Sequence, residues 1–243
     1  METRKSEYNF NSINQLEGTA DTTRRFMASV FMWMFVALAI SAAAAYLFSH
    51  DQSLFELLRN PETGRNTTLG TIVMFAPLAF ILIMSFGMNK IAYPVLLVLF
   101  IAFAAMMGIS LSYIFLIYTS ALITTVFLTT SLVFGVMAVA GYTTKQDLTG
   151  FGSILIMALM GIIVASFINY FLHSEQMQYI ISYIGVAVFV GLTAYDVQRI
   201  KRIGEGLEYG NASAPKLAIM GALSLYLDFI NLFIMLLQVF GGG

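Results

Sequence analysis

The sequence predicts an all-α integral membrane protein with seven transmembrane helices. Of its 243 residues, 59% are hydrophobic and only 10% are charged, whereas about 25% of the residues of a soluble domain are charged. The charged residues divide the chain into long neutral runs, and about 20 apolar residues cross the ~30 Å hydrocarbon core of a bilayer. These figures exclude a soluble domain and a disordered chain. A net charge of −1 also excludes a nucleic-acid partner.

The neutral runs give the helices in chain order. Most runs fit one helix each, whereas residues 91–144 fit two, with a break near residues 118–120. The predicted helices cover residues 26–48, 69–88, 93–117, 121–142, 151–172, 176–198 and 216–240. The runs do not alternate between apolar and polar residues, so a β-barrel is excluded. Residues 1–25 are polar and form an N-terminal tail, and residues 26–243 form a single transmembrane domain.

Lysine and arginine predict the orientation, because cytoplasmic loops carry an excess of both. With the N-terminus in the cytoplasm, ten of the twelve basic residues lie inside, and only Arg59 and Arg65 lie outside. This orientation requires an odd number of helices. A six-helix alternative with a re-entrant last segment stays open. The chain has no cysteine, which excludes disulfides and thiolate metal sites.

Asp228 is the charge that lies deepest in the predicted membrane, twelve residues into the last helix. A charge at that depth costs about 2.5–3.5 kcal/mol, so such residues are usually functional or paired. Helical periodicity puts it on one stripe of the last helix, and the other faces are apolar. The stripe comprises Gly221, Ser224, Asp228, Asn231, Met235 and Gln238.

Asp196 ends the sixth predicted helix, and the sequence leaves two partners open for it. Arg199 follows three residues later, which suits an ion pair within one helix. Asp228 is the alternative, because the sixth and seventh helices are joined by a short connection and are expected to be antiparallel neighbours. Two carboxyls in a low dielectric cannot both ionise cheaply, so such a pair would share a proton and titrate in coupled steps. Together they would also make a weak site for a hard cation such as Ca²⁺.

Three separated segments of the chain resemble the Bax inhibitor-1 (transmembrane Bax inhibitor motif) family, and its bacterial inner-membrane branch most of all. They are residues 141–152 (GYTTKQDLTGFG), 191–196 (GLTAYD) and 225–233 (LYLDFINLF). The resemblance covers residues 20–240. It implies two antiparallel three-helix sets around a central last helix. It also implies a pH-sensitive calcium leak whose paired aspartates fall on Asp196 and Asp228.

Further expectations follow from that resemblance. Ser224, Asn231, Tyr195 and Arg199 are candidate supporting residues. The bilayer, protons and transient Ca²⁺ are the expected partners, with a membrane-bound protease as another and with no resident cofactor. Some family members carry an arginine in the second helix that partners the last aspartate, but residues 66–89 are uncharged.

Two functions from different classes are compatible with these features. The first is a leak channel gated by the Asp196–Asp228 pair. The second is a non-conducting interaction protein that regulates a membrane protease or a stress pathway. An intramembrane aspartyl protease would also need a Gly-x-Gly-Asp segment, which the residues before Asp228 do not provide, so no enzymatic activity is predicted.

Overall fold

A computed structural model describes residues 2–207 and 210–242 of the chain, with side chains from residue 20 onward. Within this part the chain is helical apart from its turns and one isolated backbone bridge between Arg59 and Asn66. In chain order the helices are α1 (Glu2–His50), α2 (Gln52–Leu58), α3 (Thr68–Gly87), α4 (Tyr93–Leu111), α5 (Ile114–Ile117), α6 (Ser120–Thr143), α7 (Thr149–Leu172), α8 (Glu175–Glu205) and α9 (Ala214–Gly241).

Seven stretches of the described chain are long and apolar enough to cross a membrane. They are α1 from Ala20 onward, α3, α4 together with α5, α6, α7, α8 and α9. This confirms the predicted fold class of an all-α protein with seven transmembrane helices.

The last helix lies at the centre of the bundle. In its most hydrophobic stretch 67% of the residues are buried, against 56% or less in the other six spans. It packs against α1, α4, α6 and α8. The first set consists of α1, α3 and α4, in which α4 contacts both neighbours, and the second consists of α6, α7 and α8, in which α8 contacts both.

Three helix boundaries differ from the predicted ones. The first helix is continuous from Glu2, so its backbone does not break at the predicted end of the tail at residue 25. The third span is interrupted after Leu111, where the Ser112 hydroxyl donates to the Ile109 carbonyl and so competes with helical hydrogen bonding. The eighth helix continues past residue 198 to Glu205, because the basic residues on its last turns have partners in a neighbouring loop.

Hydroxyl side chains and prolines mark where the spanning helices begin. Thr67, Thr119 and Ser174 each accept a backbone N–H of the following first turn, which satisfies a donor that has no partner within the helix. A proline lies in the first turn of α4 and of α9, where its missing N–H costs nothing. The short α2, which was not predicted, begins after Asp51, whose carboxylate accepts the N–H groups of Ser53 and Leu54.

Two glycines allow neighbouring helices to approach closely. Gly108 of α4 lies against the backbone of Ser41 in α1, and Gly141 of α6 lies against the backbone of Ala194 in α8. A Cβ at either position would overlap main-chain atoms that cannot move aside. Each glycine therefore fixes the distance between two helices, as small residues commonly do in membrane bundles.

We call the end of the bundle that holds the 144–148 loop the basic end, because most basic residues lie there. At this end the loop between α6 and α7 is held by α8. The Gln198 side chain is buried; its amide donates to the Gln146 carbonyl at 2.7 Å and its oxygen accepts the Leu148 N–H at 2.9 Å. Arg202 also binds the Asp147 carboxylate at 2.8 Å. The first resembling segment is thus a structural connection between the α6–α7 loop and α8 within the second three-helix set.

We expect Gln198→Ala to lower the free energy of unfolding by about 1–3 kcal/mol, because it leaves two backbone groups without partners. Reversible unfolding in mixed detergent micelles measures this. Gln146→Ala is the matched control, because it keeps the backbone carbonyl that Gln198 binds and removes only an exposed side chain. Equal losses in the two variants would contradict the role given to Gln198.

The pKa of Asp147 is lowered to about 2 by the Thr149 hydroxyl, the Thr149 N–H and Arg202. Because the folded pKa lies below the unfolded one, the stabilisation is present above about pH 4 and is lost as the pH falls towards 2. We therefore expect the stability difference between wild type and Asp147→Asn to be constant near neutral pH and to vanish by about pH 2. The same micelle assay, repeated across pH, measures it. A difference that changes between about pH 6 and 8 would contradict this assignment.

Candidate carboxyl-pair site

The two predicted aspartates lie on neighbouring helices, and both side chains are buried. Asp196 is 7% exposed on α8 and Asp228 is 6% exposed on α9. Nine residues of α8 follow Asp196 before the helix ends at Glu205, so Asp196 lies about 14 Å from that end. The predicted end at residue 198 would have left it at the membrane edge. Because α8 is longer than predicted, Asp196 lies deep enough in the bundle to be near Asp228.

Asp196 has partners that suit a carboxylate. The Ser224 hydroxyl of α9 donates to its Oδ2 at 2.7 Å. One guanidinium nitrogen of Arg199 lies 3.4 Å from its Oδ1. Hydrogen bonds and cations both favour the charged form of an acid.

Asp228 has a different environment. Its carboxyl lies near the Asp196 carboxyl and the Arg199 guanidinium. Its Oδ2 accepts no hydrogen bond, and in residues 20–207 and 210–242 no other buried side-chain nitrogen or oxygen lacks a partner. A buried polar atom without a partner costs about 1–3 kcal/mol, and a charged one costs more.

Of the six predicted site residues, the structure brings four together. Asp196 contacts Ser224 and Arg199, and Asp228 lies beside them, so both candidate partners of Asp196 are near it. The other two point elsewhere, because the Asn231 amide donates to the Leu227 carbonyl of its own helix at 2.8 Å. The ring of Tyr195 packs on Gly152 of α7.

A cavity of about 310 Å³ lies beside the cluster at the basic end. Arg199, Tyr195 and Gln198 line it together with three neighbouring side chains. Because Arg199 lines this cavity and also contacts Asp196, it lies between the carboxyl pair and the solvent of the basic end. The side chain of Arg199 is about half exposed.

A second polar cluster lies at the opposite end of the α8–α9 interface. Gln238 accepts hydrogen bonds from Gln178 and Ser182, both at 2.7 Å, and Gln178 accepts one from Asn169 of α7 at 3.1 Å. Gln178 was not among the predicted site residues. It precedes Asp196 by 18 residues, which is five full helical turns, so the sequence does predict that it lies on the same helix face.

The described residues contain no group of three or more histidine, cysteine, aspartate or glutamate side chains that could hold a metal ion. A resident Ca²⁺ would need six to eight oxygen ligands, and the cluster offers two carboxyls, one hydroxyl and a nearby arginine.

Comparison with known proteins agrees with the fold. Residues 23–243 match the family model described as "Inhibitor of apoptosis-promoting Bax1". The inner membrane protein YbhL of Escherichia coli is 45% identical over 217 residues, which are 89% of this chain and 91% of that protein. An uncharacterized protein of Rickettsia prowazekii is 40% identical, covering 90% and 89% of the two chains. An uncharacterized membrane protein of Streptococcus pyogenes is 35% identical, covering 89% and 92%.

These matches cover nearly the whole transmembrane domain, and they include relatives that are themselves named as membrane proteins. The chain is therefore a multi-pass membrane protein that belongs to the Bax inhibitor-1 family.

Proposed function

We propose that the protein is a pH-sensitive cation leak channel that conducts Ca²⁺ and is gated by the Asp196–Asp228 pair. One observation carries the proposal: Asp228 Oδ2 is a buried oxygen without a hydrogen-bond donor, next to a second carboxyl. Such an arrangement responds to protons, because its two charge states differ greatly in energy inside a membrane. An inert packing contact would leave no orphaned acid at the centre of the bundle.

The closed state holds a proton between the two carboxyls. In that state α9 is tied to α8 by the shared proton and by the hydrogen bond from Ser224 to Asp196. The carboxyl cluster is shut off from the opposite end by an apolar layer, in which Leu232 and Leu237 of α9 are buried with Phe189 and Leu192 of α8. An ion cannot cross such a layer without a movement of helices.

Loss of the proton opens the channel. Two neighbouring anions in a low dielectric repel each other, and among the described residues Arg199 is the cation that lies beside them. Separation of α9 from α8 would expose Ser224, Asp228 and Asn231 along one side of α9. The path needs only weak binding to Ca²⁺, because an ion that binds tightly does not leave.

The orientation of the channel follows from charge. We place the basic end in the cytoplasm, with the N-terminus, since ten of the twelve basic residues lie on that side of the chain's topology. The proton and the ion would then reach the pair from the cytoplasm, past Arg199. The membrane would be the bacterial inner membrane, as it is for the relative from Escherichia coli.

Ca²⁺ flux into liposomes tests the gate. We expect wild-type flux to rise with pH through the neutral range, because deprotonation of the pair opens the path. Asp228→Asn should hold flux at the low-pH level at every pH, since its amide is uncharged and can donate to Asp196 as the protonated acid does. Asp147→Asn is the matched control, an identical substitution of an exposed acid at the basic end, and it should keep the wild-type profile. Flux that changes neither with pH nor on the substitution Asp228→Asn would refute the gate.

A second candidate is a non-conducting interaction protein that regulates a membrane protease or a stress pathway. The observation that favours it is the first helix, whose backbone begins at Glu2, well before the long uncharged run that begins at residue 26. A helix that continues beyond the membrane-spanning run would give a partner at the basic end a segment to bind.

Deletion of residues 1–19 separates the two functions. It keeps Thr23, which lies against Gly204 of α8, so the bundle contact of α1 is preserved. If the protein acts through a partner, co-purification of that partner should be lost on this deletion and should survive Asp228→Asn. If it is a channel, the deletion should leave the pH-dependent flux in liposomes unchanged. Loss of flux on the deletion, together with unchanged flux in Asp228→Asn, would contradict the channel.

A further inference from the structure

A groove runs between α1 and α6 on the side of α9 away from the carboxyl pair. Among the described residues α1 and α6 do not pack extensively on each other, although both pack on α9. Its upper part, towards the end opposite the basic end, is a cavity of about 520 Å³ with Ile230 and Phe233 of α9 at its floor. A second cavity of about 390 Å³ continues it towards the basic end, and Leu38, Ala42 and Phe127 line both.

The polar groups of the upper cavity are already used or lie at its mouth. The Ser41 hydroxyl donates to the Ala104 carbonyl and pairs with the Tyr226 hydroxyl, and the Thr124 hydroxyl donates to the Ser120 carbonyl. The remaining interior is aliphatic and aromatic, so water or an ion would find few partners there. At the mouth lie Tyr46 and His50, whose rings stack at 4.0 Å. The cavity is therefore apolar inside and polar at its outer end.

The length of the cavity matches one leaflet. Along α1 its lining runs from Leu38 to His50, which is about 18 Å of helix. Half of a hydrocarbon core is about 15 Å thick. An acyl chain whose headgroup lies near His50 would therefore end near Leu38.

The groove is continuous with the surface that the bundle presents to the bilayer. On its two rims Phe35 and Leu128 are each 63% exposed, as expected of lipid-facing side chains in spanning helices. Anything that enters the groove from the side must therefore come from the hydrocarbon phase. We propose that the upper α1–α6 cavity is a binding site for one acyl chain of a bilayer phospholipid, with the headgroup at the Tyr46–His50 end.

Photolabelling in liposomes tests the site. The full chain is placed in vesicles of phosphatidylethanolamine and phosphatidylglycerol that contain a trace of phosphatidylethanolamine with a diazirine on its acyl chain. After irradiation, peptides are mapped by mass spectrometry. We expect labels on Leu38, Phe127 and Phe233 to exceed labels on Leu128, although Leu128 is more exposed than any of the three.

Two pairs of variants test the cavity, one pair on α1 and one on α6. Each pair consists of a variant that fills the cavity and a matched control. Ala42→Phe and Thr124→Phe fill the cavity, whereas Ala43→Phe and Thr125→Phe place the same ring on neighbouring exposed positions outside it. A ring that displaces two methylene groups of the chain should lower groove labelling about tenfold. The control variants should keep the wild-type labelling.

Three results would overturn the proposal. Labels spread evenly over all lipid-facing residues would mean that only annular lipid is present. Equal labelling of the filling and control variants would mean that the cavity holds no chain. Cross-links between groove peptides of two protein molecules, in place of lipid adducts, would show that a second copy fills the groove. Because labelling is read directly, none of these results depends on whether the protein conducts ions.

Discussion

Burial of a polar helix at the centre of the bundle is the constraint on which the rest of this structure depends. The last helix has protein on nearly every side, so each polar group on it must find a partner on a neighbour. Ser224 binds Asp196, Tyr226 pairs with Ser41, and Gln238 accepts from two side chains of α8. Asp228 is the exception, because its Oδ2 has no hydrogen-bond partner.

The two three-helix sets hold α9 differently. The interface with α8 carries both polar clusters, whereas the opposite side of α9 meets α1, α4 and α6 mainly through aliphatic and aromatic side chains such as Phe103, Phe134 and Phe229. Hydrogen bonds fix the register of α9 against α8, and apolar contacts allow it to slide or tilt against the others. An α9 that moves away from α8 would therefore move towards the α1–α6 groove, where Ile230 and Phe233 already face a cavity.

Most of the fold could be predicted from hydropathy and charge, because the bilayer enforces helices of a set length. Seven spans and the polar stripe of the last helix follow from the position of a few polar residues in long apolar runs, whereas the central place of that helix was implied by the family resemblance. The family could be identified from three short segments. The end of α8 could not be predicted in this way, because the charges of Arg199, Lys201 and Arg202 resemble a membrane boundary. Lys201 and Arg202 are instead used to bind the 142–149 segment.

The directions of the side chains within the site also could not be predicted from the sequence. Tyr195 and Asn231 have the spacing of site residues. The ring of Tyr195 packs against Gly152, however, and the amide of Asn231 donates to a backbone carbonyl of its own helix. Helical periodicity predicts the helix face on which a side chain lies. It does not predict which neighbour on that face the side chain contacts.

The two carboxyls of the pair are not equivalent, because their neighbours differ. The Ser224 hydroxyl and the Arg199 guanidinium both contact Asp196, whereas the Oδ2 of Asp228 has no hydrogen-bond partner. Arg199 and Asp228 were predicted as alternative partners of Asp196, and in the structure both lie near it. In the gate that we propose, Asp196 would therefore stay with Arg199 at the basic end, and Asp228 would be the acid whose partner changes when α9 moves away from α8.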